Sequence, residues 1–335
     1  MRIDLICGLV MGLVLISCVT VPEEASSWEP KFQSWAYQLQ AADSYDIELM
    51  AESQVELIVM DYSHDGTAAK EITPSEIQQI RQGTGSESSK VILSYLSVGE
   101  AEQVRFYWQD SWITDGQPNE NAPAFLAAAN PKWPDNFKVR YWMPEWHSVL
   151  YGVREGIQKS YLDRIIDAGF DGIYLDIIDA FYYFGPDGEG PELESEEVTA
   201  NRMVELVLKL TQYARQQRQQ TNFLVVPQNG TFIIRSASPQ HRADYLAAID
   251  GLGLEDTFFF GEKEINNDLA PQQLVIDVVK DYQADEKFIL AIDYLTDPDK
   301  IEKFYELAQE ARYIPYVNSR ELSQFTFPPG HTPGQ

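Results

Sequence analysis

Eight short apolar runs punctuate this chain, at residues 34–40, 55–62, 90–98, 172–177, 222–228, 249–255, 287–294 and 312–317. Most are rich in Val, Ile, Leu and Tyr and lack the polar alternation of a half-exposed sheet, so they read as strands buried on both faces. Helical patterns lie between many of them. Thr73-Pro74-Ser75-Glu76 is a capping box with proline at the first helical position. Residues 153–168 space apolar side chains three and four apart and stop at Gly169. A longer amphipathic helix covers 194–217, and Asp297-Pro298 opens another that runs to about Ala311. Strands alternating with helices in this way predict an α/β fold, a (β/α)8 TIM-type barrel in a single domain. An open doubly wound sheet fits less well, because no Gly-rich phosphate loop is present.

Barrels of this kind carry their chemistry at the C-terminal strand ends. Residues 169–179 (GFDGIYLDIID) show why that matters: a glycine turn leads into Ile173-Tyr174-Leu175, which stops at Asp176, with Asp179 one turn on. An Asp in this place also suits the cap of a following helix. The other strand ends read Asp61-Tyr62, Ser97-Val98-Gly99-Glu100, Gln228-Asn229-Gly230, Glu255-Asp256 and Asp293-Tyr294. A rim of carboxylates, amides and aromatics has the composition of a glycosidase site, where one carboxyl acts as acid and another as nucleophile or base. Asp256 reads equally as a loop cap, and Asp171 as a turn group at the opposite end of its strand. The four histidines have no metal-site spacing, and neither a GxSxG elbow nor a Walker A loop occurs. No metal and no cofactor are expected. Between the third and fourth runs lie Trp108, Trp112, Trp133, Trp142 and Trp146, five of the seven tryptophans. Their rings suit either sugar stacking or a miniature core.

The formal net charge of −27 speaks against nucleic acid as a partner. It is compatible with a cationic substrate, and equally with simple solubility. At the N-terminus an apolar stretch follows Arg2 and ends in Leu15-Ile16-Ser17-Cys18, which resembles the lipobox of bacterial lipoproteins. The stretch is too short to span a bilayer. Residues 1–17 are therefore expected to be a signal peptide, Cys18 a lipidated N-terminus and 18–31 a tether. That would hold the protein to a membrane at the cell envelope, on the extracytoplasmic side, with no cysteine left for a disulfide. Residues 323–335, with three prolines and two glycines, read as a flexible tail.

Four strings carry a resemblance: VILSYLSVGEAEQVRFYW, YWMPEWHSVLYG, DRIIDAGFDGIYLDIIDA and GLGLEDTFF. Together they resemble glycoside hydrolase family 114, the endo-α-1,4-polygalactosaminidase-like proteins, over about residues 32–322. The resemblance implies a (β/α)8-type barrel that hydrolyses partly deacetylated, cationic α-1,4-linked galactosamine polymers. It implies that the catalytic acids are those of the LD and ED motifs, Asp176 and Glu255. With them we expect Asp61, Tyr62, Glu100, Trp142, Asp179, Gln228, Asn229 and Tyr294 to contact the polysaccharide. A barrel that only binds saccharide is the alternative.

Overall fold

The structure, a computed structural model, describes residues 31–39, 44–83, 89–152 and 159–334. The expected signal peptide, Cys18, nearly all of the tether and the start of the helix expected from 153 lie outside the described residues. Eight strands form the barrel: β1 (Trp35–Gln38), β2 (Leu57–Met60), β3 (Val91–Ser97), β4 (Gly172–Asp176), β5 (Leu224–Pro227), β6 (Gly251–Glu255), β7 (Phe288–Tyr294) and β8 (Ile314–Asn318). Each falls within, or one residue beyond, an apolar run. β1 to β5 pair in sequence order, all parallel, and so do β6 to β8. A parallel bridge between Gln228 and Gly253 joins the two sheets. β8 meets β1 through side chains: Trp35 Nε1 donates to the Ile314 carbonyl at 2.8 Å and Asn318 Nδ2 to that of Tyr37 at 3.3 Å.

The strands are apolar throughout because the interior and the outer helices take both faces. The ring of Tyr174 on β4 packs against Tyr37 and Trp35, with centroids 5.2 and 6.3 Å away. Its hydroxyl reaches β6 at Gly253, where a Cβ would lie 1.9 Å from it. Only a residue without a side chain permits that approach.

Helices begin where the capping signals fall. Thr73 caps Pro74–Gln82 through the expected box, and Ser160 caps Tyr161–Ala168, which ends at Gly169 in the left-handed conformation. Asp297 caps Pro298–Glu310. The helix expected over 194–217 runs from Glu196 to Gln212 and continues as a π-helical turn, Tyr213–Gln217. Asp171, at the start of β4, accepts from the Ile92 backbone N–H and from Arg81, both at 2.9 Å, far from the opposite rim.

The tryptophan-rich insertion is a small unit of its own. Strands Glu100–Glu102, Leu126–Ala129 and Asn136–Val139 form an antiparallel sheet, followed by the helix Pro144–Leu150. Trp112 and Trp146 are buried, Trp108 packs edge-on against Trp112, and Phe125 touches both Trp112 and Trp146. Trp146 Nε1 donates to the Val98 carbonyl at 2.9 Å, fastening the unit to the end of β3. The miniature core accounts for these three rings. Trp133 is the exposed one.

Residues 323–334 are not free in the way their composition suggests. They form a strap along the β8–β1 seam, in the place where a further helix would cover it. The Ser323, Gln324 and Thr326 carbonyls accept from Gln38, Asn318 and Tyr316, and Leu39 N–H donates to Leu322. Phe325 is buried, and His331 stacks on Tyr305 at 3.6 Å. Phe325 and Phe327 supply an apolar face that a count of Pro and Gly conceals.

Candidate active site

Asp176 ends β4 and Glu255 ends β6, so both carboxyls stand on the C-terminal rim. The backbone just beyond each turns into the left-handed region, with φ of 60° at Ile177 and 49° at Asp256, and it does so after β5 as well, at Asn229 (54°). For a β-branched residue such as Ile177 this conformation costs on the order of 1–3 kcal/mol. The sharp turn ends the strand at Asp176 and lets the Ile177 N–H donate back to the Asp176 carboxyl at 2.8 Å.

The two acids are held differently. Asp176 accepts from the Tyr95 hydroxyl at 2.9 Å on its other oxygen. Burial, and then the charge of Glu255, push Asp176 up to about 8, against the opposing pull of Tyr95 and the Ile177 N–H. Asp176 therefore keeps its proton at neutral pH. Glu255 accepts from Gln228 Nε2 at 2.5 Å and Asn229 Nδ2 at 2.8 Å on one oxygen, and from the Tyr294 hydroxyl on the other. All three partners donate to its two oxygens. Asn229 also accepts the Glu255 backbone N–H at 3.1 Å, locking strand end to side chain.

Asp179 is exposed at the mouth of this cleft. Enclosure by the rim raises its carboxyl, Lys138 opposes this, and the charges of Glu100 and Glu255 add to it. Water at its open surface screens part of the effect. Lys138 comes from the insertion sheet, where it faces Glu100 in the register and bonds to it at 2.5 Å. Among the described residues no three His, Cys, Asp or Glu side chains are placed to hold a metal ion.

The expected site residues thus divide. Gln228, Asn229 and Tyr294 gather on Glu255 through hydrogen bonds, and Asp176 and Asp179 lie close enough to feel the Glu255 charge. Gln228 and Tyr294 are buried and orient Glu255, with Gln228 also accepting from the Tyr37 hydroxyl at 3.1 Å. Three others are corrected. Asp61 is buried in an ion pair with Arg105 at 2.7 Å and caps the Ser63 N–H, leaving it no face for a sugar. Burial raises its carboxyl while Arg105 pulls it down. Tyr62 is buried beneath Arg105 and Tyr161, and its hydroxyl donates to Gly66. Glu100 is buried under Lys138 and Asn130, so it positions Lys138 instead of touching substrate. Trp142 is partly exposed, with Arg202 over its ring at 4.7 Å and Tyr141 and Phe184 edge to face, so its contact with sugar stays an expectation. The polar end of an apolar run marks a rim position, and it cannot tell a ligand contact from a buried support.

Tyr95 was missed, although its signal was in the sequence. It lies two residues before Ser97 on β3, hence on the same face, and Ser97 pairs with Asp176 in the register. Arg320, which stacks on Tyr294, had no such signal, because it follows β8 in an irregular loop.

With this geometry in view, the sequence matches glycoside-hydrolase family GH114 over residues 19–332. An uncharacterized protein of Thermotoga maritima is 32% identical over 321 residues, covering 94% of this chain and 89% of that one. An uncharacterized protein of Methanocaldococcus jannaschii is 33% identical over 300 residues, covering 87% and 77%. Among solved structures, the glycoside hydrolase domain of PelA from Pseudomonas aeruginosa superposes with a TM-score of 0.58 at 18% identity. That match covers 89% of this chain and 98% of that one, a likeness of fold.

Proposed function

This chain belongs to glycoside-hydrolase family GH114, and from that premise we propose that it cleaves an α-1,4-linked, galactosamine-rich polysaccharide through Asp176 and Glu255. The observation that carries the reading is the pair itself: two carboxyls on one rim, at the ends of β4 and β6, where burial and then the charge of Glu255 push Asp176 up to about 8. Glycoside hydrolysis needs that pair, with one group protonating the leaving oxygen and the other capturing, or activating water towards, an oxocarbenium-like centre. The working form is the pair with a single proton. The rate is therefore expected to fall as pH rises through about 8, where Asp176 loses its proton; kcat/KM measured from pH 5 to 10 checks this.

Preference for free amino groups is supported by the exposed Asp179 carboxylate beside the pair and by the net charge of −27. The test is mass spectrometry of products from a partly deacetylated galactosamine polymer and from the same polymer fully N-acetylated. The acetylated form is expected to be cleaved more slowly, with the difference shrinking as salt is raised. Equal rates at low salt would remove the electrostatic argument. Binding without any products would favour the non-catalytic saccharide-binding reading.

We further propose that lipid on Cys18 anchors the protein outside the cytoplasm. Cys18 lies thirteen residues before Lys31, a reach of up to about 45 Å. The described chain enters just before β1, at the end of the barrel opposite the acid-bearing rim. Cys18→Ala is expected to move the protein from the membrane fraction to the medium. An unchanged distribution would refute the anchor.

A further inference from the structure

Glu255 faces charged and titratable groups from several elements. They are Asp176 and Asp179 at the end of β4, Asp256 beside it, Tyr37 on β1, Tyr174 on β4, Tyr294 on β7 and Arg320 after β8. Of these, Arg320 alone is a cation. Its guanidinium centre lies 4.1 Å from the centroid of the Tyr294 ring, whose hydroxyl donates to Glu255. Arg320 is itself fixed by Asp256 at 2.7 Å and by Glu264 at 3.2 Å. Tyr294 is 3% exposed, and Arg320 covers one face of its ring.

We propose that Arg320 is a positioning residue that acts through Tyr294 on Glu255, and so decides which of the two rim carboxyls carries their shared proton. A cation over an aromatic face draws electron density from the ring and makes the phenolic O–H a better donor. A better donor stabilises the Glu255 anion at the other end of the hydrogen bond. The proton is then left to Asp176, which has two donors where Glu255 has three. Because Asp256 and Glu264 neutralise Arg320 on its outer side, the cleft keeps its acidic character towards a cationic sugar.

This inference rests on reading Asp176 and Glu255 as the working pair, yet its test needs no substrate. Protein labelled with 13C at the aspartate carboxyl is followed by NMR at pH 7, with Asp176→Asn identifying the Asp176 signal. In the parent that signal is expected at the position of a protonated carboxyl. In Arg320→Gln it should move at least halfway towards the ionised position as Glu255 takes up the proton, and Tyr294→Phe should do the same. Arg320→Lys, which keeps the charge, should stay near the parent. If Arg320 only fastens the loop after β6, Arg320→Gln will lower the melting temperature and leave the signal in place, and the proposal is overturned. A Lys variant that behaves like Gln overturns it as well. Failure of the whole protein to cleave any polymer would leave these spectra unaffected, so the two readings fail separately.

Discussion

Asp176→Asn and Glu255→Gln are each expected to lower turnover by on the order of 10³-fold or more while the protein stays folded and still binds polymer. Each amide keeps the shape of its acid and removes only the ionisable group. The double variant should be little worse than either single one, because the two carboxyls act as a unit. Asp171→Asn serves as the contrast: its partners are Arg81 and the Ile92 N–H at the other end of β4, so its turnover should match the parent. Stability should move the opposite way. Asp176 is pushed up to about 8 in the folded protein, against about 4 when unfolded. Its contribution is therefore fully present below pH 4 and is lost as pH rises through 8. Asp176→Asn lacks that loss and should melt higher than the parent at pH 8 to 9. An inactive variant that melts no higher than the parent there would count against the burial of this acid. A folded Asp176→Asn with parental turnover would end the catalytic assignment.

Arg105→Met is expected to cost about 3–5 kcal/mol, because it leaves Asp61 charged and buried without a partner. Arg105 is 6% exposed, paired with Asp61 at 2.7 Å and Glu102 at 2.6 Å, and its guanidinium lies over the rings of Tyr62 and Tyr161. For a domain of this size the melting temperature should fall by roughly 5–8 °C. Adding Asp61→Asn to Arg105→Met should recover part of the loss, since the orphaned charge then disappears. The deficit should also shrink as pH falls and Asp61 takes a proton. Calorimetry at pH 7 and pH 4.5 tests both expectations, and a loss under 1 kcal/mol at pH 7 would show the pair to be unimportant.

How far the sequence discloses this site depends on the range of the interaction. β4, β6 and β7 end where their apolar runs meet an acid or Tyr294, because burial on both faces tolerates few polar residues until the rim. The first run was read as 34–40 and the last as 312–317, whereas β1 is Trp35–Gln38 and β8 is Ile314–Asn318. At the last strand the left-handed turn at Arg312 (φ 60°) delays its start, a backbone choice that residue type does not announce. Asp61 and Glu100 looked like Asp176 in the sequence, as acids closing apolar runs. What separates them is Arg105 and Lys138, which reach them from an insertion whose fold has no simple period. Tyr95 was within reach of strand alternation. Arg320 and the strap were not, since both take their meaning from partners far away along the chain.

The strap also has a consequence for how the molecule is made. The contacts that shut the β8–β1 seam join residues 279, 281 and 285 positions apart. Loops of that length are slow to close and gain nothing until both ends are present. During synthesis, which proceeds at roughly 5–20 residues per second, β1 must wait through the 279 positions that separate Trp35 from Ile314 before its last neighbour exists. A nascent chain that has emerged only as far as β7 carries both rim acids while one side of the barrel is still unzipped. The wall beside β1 is thus the last part of the cylinder to be built, and the strap closes it.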